Sequence, residues 1–356
     1  MNSPLVRSKA FCDCFGLDLP ILLAPMAGAS QPSLSIAVAN AGGMGACGAT
    51  MHKPDAILDW MAEFRGSSNG WVQLNLWVPD PEPRRDPAHE AKVRDFLAKW
   101  GPSVPAEAGD AKPPNFAEQC EALLKAAPPV VSSVMGIYPA PFVAKLKDRA
   151  ISWFAVVTTV AEALEAEAAG ADVLIAQGFE AGGHRAAFDA ERAEREAIGL
   201  FSLLPAIVDA VSVPVVATGG IADGRGVAAS LTLGASAAQI GTAFLRCPEA
   251  KTHPAWADAL ANTRPENTML GRAFSGRTGR SLATEYAIAA AAPEAPAPAP
   301  YPVQRGLTAS MREAAQKVGD IQRMQAWAGQ SAALARAEPA AAVVKRVWDD
   351  ARSLLV

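Results

Sequence analysis

Eight short apolar runs, most of them followed by a stretch with apolar residues at helical spacing, constrain this chain more than any other feature. The runs are Ile21–Ala24, Met44–Cys47, Trp71–Leu76, Val130–Ser133, Ile151–Val157, Asp172–Ala176, Pro214–Ala217 and Ala237–Ile240. Each is too short for a helix and rich enough in branched residues for a strand buried on both faces. Helical spacing is predicted over Pro32–Ala41, Asp55–Arg65, Ala140–Lys147, Val160–Ala169, Phe201–Ala210 and Gly224–Leu233. Parallel strands need crossovers of this length, and eight of them favour a (β/α)8 TIM barrel over a doubly wound open sheet. A composition of 50% hydrophobic and 19% charged residues suits the large core that such a barrel must fill.

The rhythm breaks twice. Pro79–Pro114, dense in proline and charge, reads as an insertion on the third crossover, either a lid over the barrel mouth or decoration outside it. After Ala287 comes the tract Ala291–Pro300, which cannot be helical throughout because proline lacks the amide donor and clashes with the previous turn. The expected organisation is therefore a barrel over residues 1–290 and, over 291–356, a linker with two helices, Ala309–Arg336 and Ala340–Leu355, packing on it. They cap the barrel or pair subunits, so a homodimer is an assembly this chain admits. The net charge of −4 gives no footprint for nucleic acid. No run approaches the roughly 20 apolar residues of a membrane span, and Met1–Ala10 lacks a signal-peptide core, so a cytoplasmic protein is expected. Five cysteines, Cys12, Cys14, Cys47, Cys120 and Cys247, show no zinc spacing with the histidines and read as buried or incidental thiols; no metal is expected.

Chemistry points to the C-terminal ends of the strands, where barrels keep their reactive groups. The sixth run leads into Gln177-Gly-Phe-Glu-Ala-Gly-Gly-His184, which sets an ionisable imidazole among glycines that let backbone crowd a flat ligand. The seventh leads into Thr218-Gly219-Gly220 and the eighth into Gln239-Ile-Gly241-Thr242. Either glycine group alone is as well explained by a tight turn. Both together, after strands seven and eight, offer the free amides and the hydroxyl that a phosphate needs. Gly43-Met-Gly45-Ala-Cys-Gly48 fits the dinucleotide pattern G-x-G-x-x-G but follows a helix instead of a strand, and is set aside. His52, His89 and His253 sit at helix starts or in the insertion, where exposure is expected.

Several of these segments together resemble one family. Ala24-Pro25-Met26-Ala-Gly28-Ala-Ser-Gln-Pro32, Ala41-Gly-Gly-Met-Gly45, the Gln177–His184 loop and Ala217-Thr-Gly-Gly-Ile-Ala-Asp-Gly224 look like the nitronate monooxygenases, formerly 2-nitropropane dioxygenases, in order over roughly residues 15–290. The resemblance implies an FMN-dependent barrel that oxidises alkyl nitronates or nitroalkanes with dioxygen to a carbonyl compound and nitrite, without a pyridine nucleotide. It further implies flavin contacts from Ala24, Pro25, Met26, Asn75, Gln177, Gly182 and Gly183, and a phosphate resting on Gly219, Gly220, Gln239, Gly241 and Thr242. His184 is then the catalytic base, or the group that holds an anionic nitronate.

The chain also departs from the pattern. Val131-Ser-Ser-Val-Met-Gly-Ile-Tyr138 lacks the histidine common after the fourth strand, which puts Met135 and Tyr138 near the substrate. Gly271-Arg272-Ala-Phe-Ser-Gly276-Arg277-Thr-Gly-Arg280 resembles a family Gly-Arg segment, and leaves Arg277 either meeting an anion or solvated. An NAD(P)H-dependent FMN reductase acting on quinones or enoyl thioesters is the rival on the same barrel, since fold does not choose between them.

Overall fold

The structure, a computed structural model, describes residues 3–356; Met1 and Asn2 lie outside the described residues. Eleven strands run β1 Ile21–Leu23, β2 Gly45–Gly48, β3 Val72–Trp77, β4 Val130–Val134, β5 Ser152–Val157, β6 Val173–Gln177, β7 Gly183–His184, β8 Val215–Thr218, β9 Ala237–Ile240, β10 Thr268–Gly271 and β11 Gly279–Leu282. Eight are parallel, in the order β1-β9-β8-β6-β5-β4-β3-β2, and a parallel bridge from Leu22 to Met44 closes the ring. The fold is a (β/α)8 barrel, each of its strands coinciding with one of the eight apolar runs. They are buried on both faces because helices cover the outside and side chains fill the inside.

Helical spacing works as expected on the outer ring. The helix Pro54–Arg65 buries Ile57, Trp60, Met61 and Phe64, at positions i, i+3, i+4 and i+7. Asp223 starts the helix Gly224–Thr232 by accepting from the amides of Arg225 and Gly226. The glycines of the apparent dinucleotide pattern serve packing instead: a Cβ on Gly43 would lie 2.5 Å from the Ile21 carbonyl oxygen, and one on Gly45 2.8 Å from that of Ser35.

Beyond the eight strands and their helices, several further parts of the chain extend or differ from the expected organisation. A helix at Pro4–Cys14 plugs the N-terminal end of the barrel, where Phe11 and Phe15 pack with Phe154, Leu22 and Val173; no period marks it because its buried face is only Ser8, Phe11 and Cys12. The insertion carries a helix, Pro87–Leu97, but lines no part of the barrel mouth. It buttresses the chain beyond residue 290, with His89 Nε2 2.7 Å from the Ala297 carbonyl oxygen and Gly306 pressed on Ala108. The helix predicted over Ala309–Arg336 stops at Val318, where Gly319 turns left-handed (φ +69°) and returns the chain to the barrel mouth. The last helix, Ala340–Leu354, buries Val343, Val344, Val347 and Ala351 against the barrel helices Gly224–Thr232 and Pro32–Asn40. Finally, β7, β10 and β11 form a small antiparallel sheet over the mouth. No helix among the described residues is long and apolar enough to cross a membrane.

Candidate active site

A cavity of about 290 Å³ opens at the C-terminal ends of the barrel strands. Its floor comes from the strand ends named above. Ala24, Pro25 and Met26 leave β1 in a loop held by Ser30, whose hydroxyl accepts from the Met26 amide and donates to its carbonyl. Asn75, on β3, spends its amide nitrogen on Ser132 and leaves Oδ1 without a protein partner yet accessible. Gln239, on β9, accepts from Gln73 within the barrel. Gly219 and Gly220 follow β8 with φ of +110° and +69°, a conformation that side chains resist. Gly241 and Thr242 follow β9 beside them, and all of these residues line the same cavity.

The loop after β6 carries the imidazole. Gln177 holds the loop's shape by donating to the His184 carbonyl and accepting from the Ala186 amide. Gly183 turns left-handed (φ +75°), and a Cβ there would meet nothing within 4 Å, so its open face belongs to the cavity. His184 then pairs with Gly279 of β11, which fixes it more firmly than a loop could. Arg185, its neighbour, is buried and donates to the carbonyls of Gln177, Thr158 and Glu196; it fastens the loop and has no access to ligand.

Around His184 the packing is aromatic. Trp77 lies 4.7 Å and Trp327 4.8 Å from it between ring centroids. Nε2 is 2.8 Å from Ser275 Oγ, and that hydroxyl donates to the Arg277 carbonyl, which assigns the imidazole proton to Nε2. Nδ1 has no protein partner and is not sealed off, so its lone pair is open to the cavity. Desolvation, reinforced by Arg277 and then Arg305, pushes the imidazole pKa down to about 3. The ring is enclosed by protein on every side but the cavity, and at neutral pH it is uncharged.

That displacement has a measurable consequence for stability. Between pH 6.5 and about 3 the unfolded chain protonates His184 while the folded chain refuses the proton, so stability is lost as pH falls through this window and is unaffected above it. From pH 7 to pH 5, wild type is expected to lose up to about 2 kcal/mol more than His184→Asn by urea unfolding. Equal losses in the two proteins would show that the imidazole titrates normally.

The wall opposite the barrel was not legible as site at all. Tyr301, Arg305, Gln325, Trp327, Gly329 and Ser331, all from beyond residue 290, line the cavity. Tyr301 stacks on Trp77 at 4.6 Å. The segment 328–331 is stitched to three barrel loops: the Gly329 amide donates to Thr242 Oγ1, the Gln330 amide to the Glu180 carbonyl, and Ser331 Oγ to the Gly220 carbonyl. Thr242 thus accepts from the wall and keeps its own hydroxyl proton to donate.

Other expectations need correction. Met135 reaches the cavity wall, but Tyr138 is core, its hydroxyl donating to the Ser132 carbonyl. Arg277 meets neither solvent nor ligand; it is buried and paired with Asp80 at 2.5 Å, because an unpaired guanidinium at that depth would be costly. Its Nη1 also contacts Met135 Sδ. His52, His89 and His253 are half-buried instead of exposed, and His253 Nδ1 accepts from the Ala255 amide to start a helix. The cysteines are free, all but Cys14 buried.

Such a fold and site define a barrel enzyme that keeps its chemistry at the strand C-termini, with room for a flat ligand against glycine backbone. The family model for nitronate monooxygenase matches residues 8–350. Nitronate monooxygenases of Pseudomonas aeruginosa and Paraburkholderia phytofirmans are 38% and 37% identical, covering 96% and 95% of this chain and 99% and 94% of theirs. Among solved structures, nitroalkane oxidase from Streptomyces ansochromogenes superposes with a TM-score of 0.88 at 36% identity, covering 98% of this chain and 100% of its own. FabK from Thermotoga maritima superposes at 0.76 with 26% identity, covering 97% and 96%. The chain belongs to the nitronate monooxygenase family, a family of flavin-dependent oxidoreductases that act on nitronates.

The residues present fit a flavin. Gly183 leaves open space on the cavity side where any side chain would intrude, and Gly219 and Gly220 turn backbone toward the rim. Among the described residues no carboxylate lines the cavity to repel a phosphate. Thr242→Val is expected to orphan the Gly329 amide, lowering stability by about 1 kcal/mol in urea unfolding and weakening flavin binding in a fluorescence titration. Unchanged values in both would detach Thr242 from the wall and from the ligand.

Proposed function

We propose that this chain binds FMN across the barrel mouth and oxidises alkyl nitronates, or the nitroalkanes that give rise to them, with dioxygen to a carbonyl compound and nitrite. The observation that carries this reading is a neutral imidazole, held by β7 and Ser275, with Nδ1 open to a cavity free of carboxylates. Ala24, Pro25, Met26, Asn75, Gln177, Gly182 and Gly183 would hold the flavin ring, and Gly219, Gly220, Gln239, Gly241 and Thr242 the phosphate. When bound, FMN supplies electron acceptance and the passage of electrons to dioxygen.

His184 Nδ1 takes the proton from the carbon next to the nitro group. An imidazole with a pKa of about 3 is a weak base while no anion stands beside it. The nitronate formed beside it changes that: an anion at about 4 Å stabilises the imidazolium by about 4 kcal/mol at an effective dielectric of 20, roughly three pKa units. Proton acceptance and anion formation therefore support one another. Trp77 and Trp327 hold the ring in place and keep water from competing for the proton.

Oxygen consumption and nitrite release with ethyl nitronate and with neutral nitroethane test the proposal. Nitrite formed without NADH supports it. Anaerobic bleaching of the flavin by NADH, with no nitrite from either substrate, would instead favour the reductase reading.

A further inference from the structure

The interior of the barrel carries a polar bond in a place that such folds usually fill with branched apolar side chains. Gln73, on β3, and Gln239, on β9, are both buried, and Gln73 Nε2 lies 2.9 Å from Gln239 Oε1 and 3.2 Å from the Leu23 carbonyl oxygen of β1. Strands β1 and β2 stand between β9 and β3 in the ring, so this bond crosses the interior instead of following the wall. It is kept at a cost. Gln73 Oε1 is sealed in the barrel without a hydrogen-bond partner among the described residues, which an apolar side chain of the same shape would avoid.

The chemistry of these groups decides which way both amides face. A carbonyl oxygen only accepts, so the Gln73 atom beside Leu23 must be its NH2 group. That NH2 also donates to Gln239, and the atom receiving it must be the Gln239 oxygen. Gln239 Nε2 is left over. It has no protein partner and is not sealed, and Gln239 lines the cavity, so its N–H donors are offered upward from the floor. Main chain and side chain of Gln239 therefore serve different places. The backbone, whose carbonyl accepts from Thr218 Oγ1, runs on toward Gly241 and the phosphate loop, while the side chain turns to the barrel axis. Two positions beyond Gln73, on the same face of β3, Asn75 presents its free Oδ1 to the same cavity. Donor and acceptor together on one floor suit a flat ring whose edge carries carbonyl oxygens beside an N–H.

We infer that Gln73 is a positioning residue: it pins the Gln239 side-chain amide with Nε2 toward the cavity, where that amide donates to a ring carbonyl of the flavin. This rests on the FMN reading above, and it moves the Gln239 side chain from the phosphate to the ring. Gln73 itself lines no part of the cavity. It acts by forbidding the opposite orientation, which would set one NH2 group against another. A donor held against a ring carbonyl interacts more strongly with the electron-rich reduced ring than with the oxidised one, so it raises the midpoint potential as well as the affinity.

The test titrates apoprotein with FMN and with riboflavin, which has the ring but no phosphate, in wild type, Gln73→Met, Gln239→Met and the double variant. The midpoint potential of the bound flavin is measured for each. Methionine keeps the unbranched length of glutamine and removes the donor. Gln239→Met should bind both flavins about 3- to 10-fold more weakly and hold them at a lower potential. Gln73→Met should show the same pattern, and the double variant should be no worse than Gln239→Met, because Gln73 acts only through Gln239. Losses that add, a loss confined to FMN, or a potential left at the wild-type value in Gln73→Met would each overturn the assignment. One measurement needs no variant at position 73: in NMR spectra of wild type, the side-chain NH2 signals of Gln239, identified by their loss in Gln239→Met, should shift when riboflavin is added. An unmoved signal would overturn the assignment as well. If wild type binds neither flavin, the FMN reading itself fails, an outcome distinct from binding that ignores both glutamines.

Discussion

His184→Asn is expected to lower kcat/KM on neutral nitroethane by about 10²- to 10⁴-fold, the usual worth of a positioned general base. Asparagine is too short to reach Ser275 from the Nε2 position, so that hydrogen bond is lost, but the pairing of β7 with Gly279 is made by backbone and should survive, and FMN should still bind. What the variant also lacks is the Nδ1 lone pair. Ethyl nitronate has already lost its proton, so activity on it should fall far less, and the ratio between the two substrates isolates proton removal from everything else. The wild-type pH profile adds a second signature: with the imidazole pKa pushed down to about 3, the acid limb of kcat/KM on nitroethane should lie well below pH 6.5, while an ordinary histidine would put it there. Wild-type turnover of nitroethane by His184→Asn would remove this residue from the chemistry.

Gly182→Ala should cost about 3 kcal/mol or more of stability and most of the flavin content of the purified protein. A Cβ at this position would lie 2.4 Å from the Gly329 amide nitrogen and 2.6 Å from the Ala328 carbonyl carbon. These are backbone atoms pinned by Thr242 and Glu180, so they cannot rotate away as a side chain could. Either the wall at 328–331 lifts from the three loops it joins, or the loop carrying His184 shifts; both deform the cavity. Thermal unfolding with and without added FMN distinguishes this from a surface effect, since a surface change would leave the ligand-induced rise in Tm intact. Gly183→Ala offers the contrast, because its Cβ meets nothing within 4 Å: there the expected damage is to ligand binding and to a backbone at φ +75°, without a clash against the wall.

The barrel was legible because its physics is local. Strands buried on both faces must be short and apolar, and the helices that cover them must show a stripe such as Ile57, Trp60, Met61 and Phe64. The floor of the site was legible for a related reason: Gly183, Gly219 and Gly220 occupy left-handed turns at strand ends, and glycine there announces backbone held close to something. The wall was not. Tyr301, Arg305 and Trp327 belong to stretches without period, and a helix predicted through residue 336 hid the turn at Gly319. What could have drawn attention to them is a chemical oddity, large aromatic and basic side chains amid an alanine- and proline-rich tail that has no core of its own to fill. Arg277 was misplaced for the opposite reason: glycine-flanked arginine reads as open to ligand, and only three dimensions bring Asp80, 197 positions earlier, within reach of it.

Because residues 301–331 complete the pocket and the helix Ala340–Leu354 then clamps onto the outside of the barrel, an emerging polypeptide holds all eight staves well before it can hold its cofactor. The chain through residue 331 must leave the ribosome before the mouth can close. Loading of the prosthetic group therefore waits on residues far beyond the last stave, and a proteolytic nick in the stretch after Gly319 would strike the pocket wall while leaving the staves themselves uncut.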